Sequence, residues 1–156
     1  MSDDHITTLG DCGVTLALFE PDEKIVREAA DAEACFFVIE GDVALELYVG
    51  GAESRTVQTV HSGEVIGWSW LIPPYRGAFD AVALTSVSTL RVDAALLRDA
   101  MEEDRPFGYD MMKRFCDVIV QRLGASRIRL IDMYGLAASD IGTQRLRVKS
   151  GQGVGR

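Results

Sequence analysis

Between Val14 and Val92 the sequence is a series of short β-rich runs broken by turn formers at close intervals. That pattern belongs to an all-β sandwich or barrel. VTLALF and KIVREAA are separated by Pro21-Asp22. ACFFVIEGDVALELYV reads as a hairpin whose arms flank Glu40-Gly41-Asp42, where Gly41 can take positive φ without steric cost. In the second arm Val43, Leu45, Leu47 and Val49 alternate with Ala44, Glu46 and Tyr48, the period of a half-buried strand. GGAES is the next turn, RTVQTV a further strand, and AVALTSVSTLRV supplies two more.

At Asp93 the period changes to that of a helix. AALLRDAMEE is a short helix with Asp93 as its N-cap. A longer helix follows, with Pro106 in its first turn and Gly135 as its stop. Phe107, Met111, Phe115, Val118, Ile119, Leu123, Ile128, Leu130 and Ile131 form its apolar stripe. A helix of this length is roughly 40 Å long and outruns a small barrel. The simplest cover for its far end is the same helix of a second copy, so a homodimer through residues 106–134 is expected. The chain then divides into an N-terminal segment (1–13), a β-barrel domain (14–93), C-terminal packing helices (94–135) and a flexible basic tail (136–156).

The 156 residues suffice for one ordinary domain, and the hydrophobic content of 47% is that of a globular chain. A net charge of −8 argues against non-specific binding to nucleic acid or to an anionic membrane. The positive charges of the tail, Arg145, Arg147, Lys149 and Arg156, stand without an acid after Gly142. They read as a solvated end or as a short basic arm toward the acidic body or a partner. Cys12, Cys35 and Cys116 are far apart and form no Cys-x-x-Cys or Cys/His cluster, which excludes a disulfide or metal framework and fits a reducing cytoplasm. The acidic N-terminus is wrong for a signal peptide, and no apolar run reaches membrane-spanning length. Two histidines, His5 and His61, supply no catalytic triad or dyad at a convincing spacing, and the carboxylates are scattered, so no catalytic residue is nominated and no enzyme is expected.

The irregular stretch Gly63–Ala81, GEVIGWSWLIPPYRGAFDA, lies between two strands. With the runs FEPDEKIVREAADAEACFFVIEGDVALEL and FDAVALT, it resembles the cyclic nucleotide-binding domain of the Crp/Fnr (catabolite activator protein-like) superfamily, in a short form with a tryptophan-rich cassette and no helix-turn-helix. The resemblance covers about Val14 to Tyr134. It implies a mainly β fold with C-terminal α structure: a double-stranded β-helix (jelly-roll, cupin-like) barrel followed by a short helix and a long one. It also implies a regulatory sensor module that binds a small anionic or nucleotide-like ligand and signals through the long helix, without DNA binding of its own. The alternative is a ligand-free module that dimerises or docks to a protein partner.

In that family a helix start and one arginine neutralise a cyclic phosphate, and a glutamate accepts the ribose 2′-OH. Carried over by position, Gly67 holds the cassette glycine, Trp68 the place of the glutamate, Arg76 that of the arginine and Gly77 that of the small residue after it. The candidate ligand-binding set is Gly67, Trp68, Ser69, Trp70, Arg76, Gly77 and Phe79, and the implied ligand is a cyclic nucleotide, cAMP or cGMP. The departures argue against it. An indole only donates hydrogen bonds, Pro73-Pro74 lacks two backbone donors, and Phe79 adds bulk. Arg76 is either an anion anchor or a structural arginine paired with Asp80 or stacked on Trp70 or Tyr75. Trp68 and Trp70 either fill the barrel mouth or stack on a base.

Overall fold

The computed structural model describes residues 3–48 and 53–149. Helix α1 (Asp3–Gly10) is followed by strands β1 (Thr15–Phe19), β2 (Lys24–Val26), β3 (Ala34–Glu40), β4 (Val43–Tyr48), β5 (Ser54–Val60), β6 (Val65–Ile66), β7 (Asp80–Ala83) and β8 (Val87–Asp93), then by helices α2 (Ala94–Glu103) and α3 (Arg105–Lys149). The strands make two four-stranded sheets, in the orders β1-β8-β3-β6 and β2-β7-β4-β5. All the pairings are antiparallel. A cluster of buried side chains lies between the sheets, with Phe36, Val38, Val43, Leu45, Val60 and Ile66 among its members. This is the expected jelly-roll followed by helices.

The expected hairpin across Glu40-Gly41-Asp42 is not one. β3 pairs with β6 and β8, whereas β4 pairs with β5 and β7, so the chain crosses from one sheet to the other at this turn. The backbone groups at the corner bond to the β7–β8 turn instead of across a hairpin. Leu84 N–H donates to the Asp42 carbonyl (2.8 Å), and Asp42 N–H donates to Thr85 Oγ1 (3.1 Å). Gly41 has φ +97°, and a Cβ there would stand 2.4 Å from the Ser86 carbonyl oxygen. The corner thus lets Phe36 and Val38 on one side and Val43 and Leu45 on the other enter the same core. In β4 Val43 and Leu45 enter the core as expected, but Ala44 between them is buried too, so the alternation does not hold, and beyond a bulge after Leu45 Leu47 is exposed. Val49 and residues 50–52 of the next turn lie outside the described residues.

Asp93 caps α2 as expected, its Oδ1 accepting from Ala95 N–H and Leu96 N–H (2.9 and 3.0 Å). Pro106 sits in the first turn of α3, where Asp104 Oδ1 accepts from Phe107 N–H (3.1 Å). Gly135 does not stop the helix, which continues to Lys149 and takes in part of the expected tail. A glycine costs an exposed helix interior only about 1 kcal/mol and ends a helix only when the chain needs a left-handed residue. Residues 150–156 of the tail lie outside the described residues, as do the side chains of Leu130, Arg145, Arg147 and Lys149. The N-terminal segment contains α1, whose His5 meets Phe107 edge-on at 5.7 Å and lies 3.4 Å from Asp110 Oδ2. Contacts group the chain into two compact units, Met1–Lys113 and Arg114–Arg156. The candidate site belongs wholly to the first.

Candidate functional site

Between β6 and β7 the chain makes a set of tight turns. Gly67 leaves β6 at φ +76°. Leu71 N–H then donates to the Trp68 carbonyl (3.0 Å), and Tyr75 N–H to the Ile72 carbonyl (3.1 Å). The segment is laced to the loop after β2: Ala32 N–H donates to the Tyr75 carbonyl, Gly77 N–H to the Ala30 carbonyl and Ala29 N–H to the Gly77 carbonyl, each at 2.8 Å. Gly77 is needed for this approach, because a Cβ there would stand 2.4 Å from the Arg27 carbonyl oxygen.

Asp80 fastens the base of the same loop. Its Oδ1 accepts from Glu28 N–H (2.7 Å) and its Oδ2 from the Lys24 ammonium. Burial alone would raise the Asp80 pKa, but the bonds from Lys24 and Glu28 outweigh it and hold the carboxyl below the usual carboxylate range. Because the folded-state pKa is depressed, this contribution to stability is complete above the unfolded pKa of about 3.9 and is lost as pH falls through the lower folded value. Urea midpoints measured between pH 5 and 2 are expected to fall less steeply for Asp80→Asn than for the wild type below about pH 4. Parallel profiles would mean that Asp80 contributes no such linkage.

Each candidate residue now has a place. Trp70 is 1% exposed and packs beneath the cassette as a core side chain. Its indole lies against the Cys35 thiol, whose pKa is raised by burial and lowered to a smaller extent by that contact. Arg98 of α2 donates to the Trp70 carbonyl (2.7 Å) and stacks on the Tyr75 ring at 4.3 Å from its centroid. Trp68 is half-buried and meets Phe79, itself buried, edge-to-face at 6.1 Å. Arg76 has none of the three partners considered for it. Asp80 is held by Lys24, Tyr75 is covered by Arg98, and Arg76 Nη1 donates to the Ala29 carbonyl (2.9 Å) while Nη2 stands 3.7 Å from Asp31 Oδ1. Glu64 accepts from His61 N–H (2.6 Å) and closes its own turn.

Behind the cassette lies a cavity of about 160 Å³. Gly67, Ser69, Trp70, Gly77 and Phe79 line it, whereas Trp68 and Arg76 do not. The charged residues in its wall are Asp31 and Glu33 from the β2–β3 loop and Arg91 from β8, none of which the sequence reading nominated. The available signal was a single arginine inside the apolar strand STLRV. Among the described residues no group of three His, Cys, Asp or Glu side chains could hold a metal ion. No described helix is long and apolar enough to cross a membrane.

The model of the family described as "Cyclic nucleotide-binding domain" matches residues 17–104. Among solved structures, a putative cyclic nucleotide-binding protein from Geobacter metallireducens is similar at TM-score 0.71 and 24% identity, covering 79% of this chain and 88% of that one. A cyclic nucleotide-binding domain from Methylobacillus flagellatus gives TM-score 0.76 at 15% identity, with 85% and 74% covered. The regulatory subunit of a cAMP-independent protein kinase A from Trypanosoma brucei gives TM-score 0.62 at 20% identity, with 75% and 41% covered. At these identities the likeness concerns the fold. No curated protein sequence matches the chain.

Proposed function

The chain belongs to the cyclic nucleotide-binding domain family, and from that premise we propose that it is a non-catalytic regulatory module whose rebuilt cassette keeps a small pocket but does not take a cyclic phosphate in the family's way. The observation that carries this reading is the position of Arg76. Its guanidinium is committed to the Ala29 carbonyl and Asp31 and is absent from the cavity wall. A cyclic phosphate entering the cavity would lose the expected Arg76 and would meet, beside Arg91, the two carboxylates of Asp31 and Glu33. Trp68, at the place of the family's glutamate, is likewise absent from the cavity wall, and its indole can accept no hydrogen bond from a ribose hydroxyl. The Trypanosoma brucei structure, described as part of a cAMP-independent kinase, is a precedent for this fold outside cAMP control.

A thermal melt tests the reading. A ligand at a hundred times its Kd stabilises by about 2.7 kcal/mol, so millimolar cAMP or cGMP bound in the family's way would raise Tm by several degrees. No shift is expected, and a rise of that size with either nucleotide would overturn the proposal.

The second element is self-association through α3. Burial falls along this helix. Phe107, Met111 and Phe115 are at most 3% exposed, whereas Val120, Leu123, Ile128 and Ile131 are between 51% and 68% exposed. Such a row of apolar side chains on one helix is the kind of surface that pairs with a second copy, within the 106–134 segment expected from the sequence. Light scattering at tens of micromolar is expected to give a dimer mass, and a monomer would remove this element. A protein partner docking on the same helix is the alternative, with the pocket left empty. The free cysteines Cys12, Cys35 and Cys116 fit a reducing, cytoplasmic setting.

A further inference from the structure

The wall of the cassette cavity carries opposite charges that do not pair with one another. Arg91 reaches it from β8, and Asp31 and Glu33 from the β2–β3 loop. Among the described residues, Arg91 and Glu33 make no side-chain hydrogen bond or ion pair, and Asp31 has only the 3.7 Å approach of Arg76. An adjoining hollow of about 550 Å³ is bounded by the same Asp31, Glu33 and Arg91. These three residues therefore border both spaces.

This arrangement selects by charge. A simple anion drawn to Arg91 is opposed by two carboxylates, and a simple cation drawn to the carboxylates is opposed by Arg91. A molecule carrying both charges satisfies both sides, and each contact is a charge-assisted hydrogen bond. The size points the same way. The cavity of about 160 Å³ is well below the roughly 300–1,000 Å³ of sites for drug-sized ligands. The buried aromatic side chains Trp70 and Phe79 stand in its lining.

We propose that the cassette cavity binds a small zwitterion of the α-amino-acid class, with its carboxylate on Arg91 and its ammonium on Asp31 and Glu33. The inference rests on the reading that the pocket is retained but not for a cyclic phosphate.

The test is calorimetric titration of the full chain with glycine, L-alanine and L-serine as probes, with acetate, methylammonium and cAMP beside them. At least one amino acid is expected to bind saturably at millimolar Kd or better, and acetate and methylammonium at least tenfold more weakly. Arg91→Gln and Glu33→Gln should each weaken the amino acid at least tenfold, Arg91→Lys less, and Arg55→Gln on β5 not at all. A circular dichroism melt of each variant shows that it is folded. The inference is overturned if none of the three amino acids binds to the folded wild type. Acetate binding as tightly as the amino acid, or Arg91→Gln and Glu33→Gln binding like the wild type, would overturn it equally. The cAMP arm separates the two levels. cAMP binding that is lost in Arg76→Ala contradicts the proposed function whatever the amino acids do, whereas absence of both cAMP and amino-acid binding removes only the zwitterion.

Discussion

Trp70→Ala is expected to destabilise the chain by about 3–5 kcal/mol, the range for removing a large buried aromatic side chain. At about 2–4 °C per kcal/mol for a chain of this size, Tm should fall by roughly 6–20 °C in a circular dichroism melt. The reason lies in where the sequence places this residue. The loop directs an indole inward until it is 1% exposed, against Cys35 of β3 and below the Arg98 bond to its own carbonyl. The alanine variant would leave a hole that the backbone, held by the bonds between residues 75–77 and 29–32, is poorly placed to close. A fall of less than about 1 kcal/mol would show that Trp70 is a dispensable ligand-facing side chain.

Gly41→Ala is expected to cost about 3–5 kcal/mol, combining a backbone conformation that L side chains avoid with a contact that cannot be relieved. The φ of +97° and the 2.4 Å approach to the Ser86 carbonyl act together, and Val87 Cγ2 would lie 2.9 Å from the new methyl. Both corners must move apart to admit it, which strains the β3–β8 and β4–β7 pairings beside them. The bond from Leu84 N–H to the Asp42 carbonyl would be the first lost. Gly63→Ala is the control. It has a positive φ of +84° but nothing within 4 Å of its Cβ, so only the conformational part of the cost should remain. Equal losses for the two variants in urea titrations would mean that the stacked corners carry no weight.

Local signals in this chain were legible and partner choice was not. Asp93 declares a helix start through its own side chain, and Pro106 a first turn through its missing donor; both effects are complete within a few residues. The turn at Gly41 has the same local chemistry in a hairpin and in a sheet-to-sheet corner, so which strands pair beyond it depends on residues forty or more positions away, at Leu84 and Thr85. Gly135 looks like a stop because glycine suits one, yet nothing nearby demands a left-handed residue, and α3 continues.

At the site, the run GEVIG and the glycine at position 77 pointed to the segment in which Gly67, Gly77, Trp70 and Phe79 line one cavity, and of the two tryptophans Trp70 is the buried one. Arg76 was the natural candidate to face an anion because only its place in the chain could be read. Its direction is fixed by the Ala29 carbonyl, which lies 47 residues away. Arg91 was invisible for the complementary reason. An arginine in a strand is ordinarily a surface residue, and only the fold brings it opposite Asp31 and Glu33.

The central claim is that the cassette no longer uses Arg76 to hold a phosphate, and isothermal titration of cAMP into the wild type and Arg76→Ala tests it most directly. No heat is predicted for either protein at tens of micromolar, and Trp68→Glu, which returns an acceptor without returning the cation, should stay below micromolar affinity. Micromolar binding to the wild type that disappears in Arg76→Ala would contradict the account.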